Sequence, residues 1–242
     1  MFDAGLDGVT FASSGCKLLG GFYRAAGDSP RPTAILLHGL PGIEKNLDIA
    51  YSLRELGWNC LYFHFRGSWG SEGAYSLGSL ADDTRAAIAW TLRKPSVDAS
   101  RVVLIGGSAG GHTVLLCAAT DPRIRAVVGI APLIDPRSFD LRVGMANEFA
   151  DMLSGVSGDA LRKQWNDLPP LTDHAAALVS RPVLLVTADK DDLFPPSHYE
   201  AFVAAVPSAR WVRSPEGDHA FSTCRPWMVR TVTDWLISNV GK

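Results

Sequence analysis

The stretch Val102–Gly110, with the sequence VVLIGGSAG, joins an apolar run to a glycine-rich turn. The run has the composition of a buried strand, and the apolar segment Thr113–Ala119 beyond the turn has helical spacing. Between them, Gly106–Gly110 forms the pattern G-x-S-x-G, which at a strand-to-helix turn allows a tight, strained backbone that exposes the serine hydroxyl. The signatures of phosphate-binding glycine loops are not met here. Ser108 is therefore predicted to be a nucleophile.

Apolar runs alternate with segments of helical spacing on both sides of this turn. The runs are Thr33–His38, Cys60–Phe65, Arg101–Gly106, Ala126–Ala131, Pro182–Thr187 and Arg210–Arg213. The helical segments are Leu47–Leu56, Leu80–Leu92, Gly111–Ala119, Ser197–Val206 and Arg225–Val240. Near-continuously apolar strands are typical of parallel sheets buried on both faces. The alternation predicts an α/β fold with a mostly parallel, doubly wound sheet flanked by helices, and Val9–Phe11 with Lys17–Tyr23 predicts a hairpin at its edge.

Residues 136–181 interrupt this alternation because they contain no strand-like run. A structureless loop of that length is unusual in a compact domain, so the segment predicts a short helical lid insertion. Its apolar side chains need a surface to cover, and the carboxyl edge of the sheet above Ser108 is the one available. These side chains are Phe139, Leu141, Met145, Phe149, Met152, Leu153, Leu161 and Trp165. Some of them are expected to line a substrate pocket.

Length and composition restrict the class of protein. The 242 residues are 47% hydrophobic and 20% charged with a net charge of −2, which favours one domain over residues 1–242 and no nucleic-acid partner. The first residues lack a signal-like pattern and no apolar run is long enough for a membrane span, so a cytoplasmic protein is expected. The four cysteines lack the close spacing of metal sites, and no metal is expected. A homodimer is left open.

An acid and a base are predicted near the carboxyl edge of the sheet. Asp189, Asp191 and Asp192 directly follow the strand Pro182–Thr187, and His219 follows the last apolar run. A neutral imidazole accepts the serine proton, while a carboxylate holds the histidine in the required tautomer. These positions alone leave open which aspartate has that role.

The other histidines have simpler interpretations. His38 lies in the segment TAILLHGLPG, residues 33–42, where a strand runs into a turn, and we expect it to pack under that turn and support it. His112 follows Ser108 by four residues and would point away from the hydroxyl. No motif surrounds the remaining three, which are expected to be structural: His64, His174 and His198.

Taken together, these motifs resemble the α/β-hydrolase superfamily, in particular the esterase and peptidase-like branch related to prolyl oligopeptidase catalytic domains and serine aminopeptidases. The matching segments are LLHGLPG, FHFRGSWGSEG, VDASRVVLIGGSAGG, ADKDDLFPP and EGDHAF. The resemblance implies a catalytic triad of Ser108, Asp191 and His219, in the chain order of that fold. Its acid stands four residues before a proline, as Asp191 does before Pro195, and Asp192 is the alternative.

The resemblance also implies the remaining parts of the site. The oxyanion hole would use the backbone N–H groups of Leu40 and Ala109, and the turn Arg66–Ser71 would be structural. The reaction would be hydrolysis of a small-molecule ester or amide without a cofactor. Ester cleavage is favoured over peptide cleavage, because no β-propeller is expected before the hydrolase motifs and the insertion is shorter than many lipase lids.

Two alternatives remain. One is an amidase or aminopeptidase in which Glu148 or Asp151 binds a substrate amine. The other is a ligand-binding protein that has the fold without the chemistry, against which the strained serine argues because a pure binder has no need of it.

Overall fold

The computed structural model describes residues 2–241, which contain one eight-stranded sheet. Its strands are β1 (Gly5–Ser13), β2 (Cys16–Arg24), β3 (Arg31–Leu37), β4 (Asn59–Phe63), β5 (Val97–Gly107), β6 (Ile124–Ile130), β7 (Val183–Ala188) and β8 (Arg210–Ser214). They lie in the order β1-β2-β4-β3-β5-β6-β7-β8. The six strands β3–β8 pair in parallel with their neighbours in this order. The hairpin β1–β2 joins them at one edge, where β2 pairs antiparallel with β4. The predicted mostly parallel sheet with an edge hairpin is confirmed.

Helices cover both faces of the sheet. They are α1 (Leu47–Glu55), α2 (Leu80–Leu92), α3 (Ser108–Thr120), α4 (Val143–Asp151), α5 (Gly158–Asn166), α6 (Ser197–Ala205) and α7 (Arg225–Val240). Helices α1 and α7 contribute to one hydrophobic cluster, and α2, α3 and α6 contribute to the other. Ile35 and Leu36 are neighbours in β3 and enter opposite clusters, because successive side chains of a strand point to opposite faces. Burial on both faces explains why the strand reads as a continuous apolar run.

The segment 136–181 is helical, as expected. It holds α4, α5 and the 3₁₀ turns Pro136–Ser138 and Leu171–Leu178. Leu161 and Trp165, four residues apart on α5, are both buried. Because residues at that spacing share one helix face, α5 packs onto the body of the fold along one side.

A buried ion pair holds the turn that follows β4. Asp83 of α2 is fully buried and accepts hydrogen bonds from the Arg66 backbone N–H at 3.0 Å and from the Arg66 side chain at 2.6 Å and 2.9 Å. The turn Arg66–Ser71 was expected to be structural, and these contacts fix its first residue to the helix layer.

We expect Asp83→Ala to lower the free energy of unfolding by about 3–5 kcal/mol, because it leaves the Arg66 guanidinium without its charged partner. Denaturant unfolding measures the change. Asp82→Ala on the same helix is the matched control: its carboxylate is exposed and pairs with the exposed Arg85, so its loss should cost about 0–1 kcal/mol. Similar losses in the two variants would contradict this role for Asp83.

Within residues 2–241, none of the helices combines the length and the apolar composition that a bilayer crossing requires. All four cysteines, Cys16, Cys60, Cys117 and Cys224, are free thiols.

Candidate active site

The turn between β5 and α3 presents Ser108 at the carboxyl end of the sheet. Strand β5 ends at Gly107, α3 begins at Ser108, and the serine backbone has a φ of 52°, in the left-handed region that strains a residue with a Cβ. A Cβ at Gly106 would lie 2.3 Å from the Gly110 carbonyl oxygen, and one at Gly110 would lie 2.3 Å from the His38 carbonyl oxygen. Both glycines are therefore required for this tight turn, which starts the helix three residues earlier than the predicted Gly111.

Loops after β7 and β8 bring Asp191 and His219 together. The Nδ1 atom of His219 lies 2.8 Å from Oδ2 of Asp191, whose side chain is fully buried. The other carboxylate oxygen, Oδ1, accepts the N–H groups of Leu193 and Phe194 at 2.8 Å and 2.9 Å. The Phe194 ring packs edge-on against the imidazole, with 5.2 Å between the two ring centroids. With its Nδ1 proton donated to the carboxylate, His219 has Nε2 available as an acceptor.

The two neighbouring aspartates lie away from this pair. Asp189 pairs with Arg213 of β8 at 2.8 Å, and Asp192 is exposed to solvent. Of the three aspartates that follow β7, Asp191 is the one that contacts His219.

The turn after β3 packs against the serine. A Cβ at Gly39 would lie 3.0 Å from Cβ of Ser108 and 3.7 Å from its Oγ, so the absence of a side chain lets the backbone approach. The Leu40 N–H has no hydrogen-bond acceptor among residues 2–241. Ala109 is the second residue of α3, where a backbone N–H has no partner within the helix. Neither N–H has an acceptor in the described part of the chain, so two backbone donors near Ser108 are unpaired there.

His38 lies under this turn and is buried. Its Nδ1 donates to the Gly39 carbonyl oxygen at 2.7 Å, which leaves Nε2 to accept the Phe65 N–H at 3.4 Å. Burial lowers the pKa of His38 to about 4, so the ring is neutral at physiological pH. The structural role expected from the sequence agrees with these contacts.

Trp69 contacts the turn after β3, and sequence reasoning missed this contact because Arg66–Ser71 was interpreted only as a structural turn. Its indole Nε1 donates to the Pro41 carbonyl oxygen at 2.9 Å, and Lys45 lies 4.4 Å above its ring. The indole hydrogen bond thereby connects the turn that contains Leu40 to the turn after β4. A large aromatic residue among glycines and serines was the available signal.

The remaining described histidines with shifted pKa values serve the fold. His112 Nε2 bonds to the Pro169 carbonyl oxygen at 2.8 Å, and His198 accepts the Ile134 N–H at 2.7 Å. Burial lowers the pKa of His64, His112 and His198 to about 4 each. No group of side chains in residues 2–241 has the arrangement of a metal site.

Ser108 and His219 line one cavity of about 310 Å³. Part of its apolar wall comes from the insertion: Phe139, Leu141, Met145, Phe149 and Trp165. The insertion thus contributes side chains above the serine, as the sequence predicted. Glu44, Asn46 and Arg225 provide a polar portion of the lining. Glu148 and Asp151, the candidates for binding a substrate amine, are exposed on α4 and do not line this cavity.

The sheet order, the strained serine turn and the loops at the carboxyl edge define an α/β hydrolase. Solved structures share this fold. Est1E from Butyrivibrio proteoclasticus, with ferulic acid bound, is 20% identical with a TM-score of 0.82 over 97% of this chain and 100% of that chain. The Pyrococcus furiosus esterase Pf2001 is 19% identical with a TM-score of 0.75 over 98% and 92%. These identities support the fold alone.

Residues 47–242 match the model of the prolyl oligopeptidase family, and the chain belongs to this family of hydrolases. The YfhR protein of Salmonella typhimurium is 30% identical over 230 residues, covering 89% of this chain and 76% of that protein. The quorum-quenching protein AidA of Acinetobacter baumannii is 34% identical over 133 residues, covering 52% of this chain. That alignment spans 44% of AidA, so the chain matches less than half of that relative.

Proposed function

We propose that this hydrolase cleaves carboxylic esters of small to medium size through an acyl-enzyme at Ser108. The observation that carries the proposal is the pairing of buried Asp191 with His219, which lines the same apolar cavity as Ser108. A serine alone is a weak nucleophile, and an adjacent base oriented by a carboxylate is the arrangement that activates it.

The proposed reaction has two halves. The Ser108 Oγ attacks the ester carbonyl carbon while its proton passes to His219 Nε2, and the alcohol leaves after receiving that proton. Water then attacks the acyl-enzyme with the same base, which releases the carboxylic acid and restores the serine. The unpaired N–H groups of Leu40 and Ala109 would stabilise the negative oxygen in each tetrahedral intermediate. Asp191 would stabilise the imidazolium that forms in between.

The form of the cavity favours esters over peptides. A volume of about 310 Å³ suits a short acyl or aromatic group, and aromatic and aliphatic side chains supply most of its lining. The exposed positions of Glu148 and Asp151 give no support to amine recognition by those residues. Amide hydrolysis is the alternative, because the family takes its name from a peptidase, prolyl oligopeptidase. A comparison of ester with anilide substrates separates the two activities.

We expect kcat/KM for p-nitrophenyl esters to rise about three- to fourfold per added methylene from acetate to hexanoate, because each buried CH₂ contributes about 0.8 kcal/mol. Longer chains should fall off once the cavity is full. The measurement compares these esters with aminoacyl p-nitroanilides and identifies the residue labelled by a fluorophosphonate. Preferential cleavage of anilides would favour the peptidase alternative, and labelling elsewhere than at Ser108 would remove the proposed nucleophile.

We expect Trp69→Phe to lower kcat for the preferred ester about tenfold with little change in KM, because the turn bearing Leu40 loses a hydrogen bond that holds an oxyanion donor. Steady-state kinetics tests this. Trp211→Phe is the matched control: it removes a 2.8 Å indole bond to Thr187 between β7 and β8, away from this turn. Equal kinetic losses in both variants would mean that Trp69 contributes only to stability.

A further inference from the structure

Asn46 is a polar residue on the wall of the cavity that has no part in the steps above. Asn46 directly precedes α1 and is only 5% exposed. It lines the same cavity as Ser108. Its backbone has a φ of 55°, a conformation that asparagine tolerates better than most residues with a Cβ. The Asn46 backbone N–H bonds to Glu44 Oε1 at 2.5 Å, which holds the residue in place.

Arg225 determines which way the Asn46 amide faces. Its Nη1 donates to Asn46 Oδ1 at 3.1 Å, and two bonds of 2.9 Å and 2.6 Å from Nε and Nη2 tie the guanidinium to Asp48. A guanidinium can only donate, so the amide oxygen must face Arg225 and the NH₂ group must face away from it. On that other side, a Cβ at Gly107 would lie 3.3 Å from Asn46 Nδ2. The amide nitrogen therefore lies beside the residue that precedes the nucleophile.

This amide nitrogen has no acceptor in the part of the chain that the structure describes, residues 2–241. Arg225, the other polar donor on this wall, is already engaged by Asp48, Asn46 and the Ala220 carbonyl oxygen. The nitrogen is not fully buried, because it reaches the cavity, where solvent can bond to it. A bound substrate displaces that solvent, so the donor is then left unpaired, at a cost, unless the substrate supplies the acceptor.

We propose that the Asn46 amide N–H binds an accepting oxygen of the substrate close to the scissile ester. The inference rests on the ester hydrolysis proposed above and narrows its substrate class. The preferred esters carry an ether, hydroxyl or carbonyl oxygen in the acyl or alcohol group within a few atoms of the reacting carbonyl. Hydrocarbon groups of the same size leave the donor unpaired, and sites built to hydrogen-bond a substrate discriminate strongly against such analogues.

Two substrate pairs of equal size test this selectivity. They are p-nitrophenyl 3-methoxypropanoate with p-nitrophenyl pentanoate, and 2-methoxyethyl butanoate with butyl butanoate. Asn46→Asp retains an oxygen facing Arg225 and tolerates the backbone, but replaces the donor with an acceptor. Asn46→Gly removes the side chain without adding charge, and Asn239→Asp, at an exposed position of α7, is the control. For at least one pair, we expect the ether-to-hydrocarbon ratio of kcat/KM to fall about tenfold in both Asn46 variants and to stay unchanged in the control.

The outcomes separate this proposal from the ester hydrolysis on which it rests. An unchanged ratio in both pairs, with kcat/KM lowered equally for ether and hydrocarbon, overturns the substrate contact and leaves a structural role for Asn46. If the wild type cleaves no ester, the proposed ester hydrolysis is wrong. Rates of Ser108 labelling by fluorophosphonates with 3-methoxypropyl or pentyl groups then decide the Asn46 contact by the same ratio. Thermal melting of each variant reports whether the fold is retained.

Discussion

Ser108→Ala is expected to lower kcat for the preferred ester by at least about 10⁴-fold, because no other group in the proposed mechanism can form the acyl-enzyme. The substitution removes one oxygen and retains the Cβ, so the strain of the φ of 52° is the same in both proteins. The hydroxyl packs no core, and Ser108 is only half-buried at the edge of the cavity. The melting temperature should therefore change little while turnover and fluorophosphonate labelling disappear.

Ser29→Ala is the control for this experiment, since Ser29 is exposed and does not line the cavity. It should match the wild type in turnover and in labelling. A Ser108→Ala protein that melts normally and retains activity within tenfold of the wild type would rule out an acyl-enzyme at this residue. A large drop in melting temperature would instead mean that the hydroxyl has a structural contact.

Features determined by local chemistry were predictable from the sequence. Strand β5 and the turn after it follow from an apolar run and from glycines whose Cβ positions would collide with backbone oxygens. The edge hairpin β1–β2 follows from a Ser-Ser-Gly turn between apolar segments, and Ser14 and Gly15 do adopt positive φ there. In the hairpin the deciding residues are neighbours in sequence, and in the serine turn Gly106 meets the Gly110 carbonyl oxygen four positions away, although Gly110 also meets that of the distant His38.

Features determined by distant contacts were not predictable in the same way. The bond from Arg225 to Asn46 joins residues 179 positions apart, and that from Trp69 to Pro41 crosses between two turns. Nothing in the spacing of those residues indicates which side chain a folded backbone brings within hydrogen-bonding distance. The positions of the three aspartates left the choice among them open, and Asp191 was favoured only through the resemblance; its contact with His219 depends on how the loops after β7 and β8 pack.

Asp191→Asn is expected to lower kcat about 10⁴-fold with a modest effect on stability. In the wild type, Oδ1 of Asp191 accepts the N–H groups of Leu193 and Phe194, so an asparagine must place its oxygen there. Its NH₂ group then faces His219 Nδ1 and can only donate to it. The imidazole proton is thereby forced onto Nε2, where the ring can no longer accept a proton from Ser108.

The two neighbouring aspartates provide matched controls for that result. Asp192→Asn alters an exposed carboxylate, and Asp189→Asn loosens a partly exposed pair with Arg213, so both variants should remain within about threefold of wild-type kcat. Steady-state kinetics of the three variants under identical conditions makes the comparison. A loss confined to Asp192→Asn would require a different loop conformation during turnover. Because the amide in Asp191→Asn reverses the tautomer rather than the fold, kcat should fall far more than KM changes.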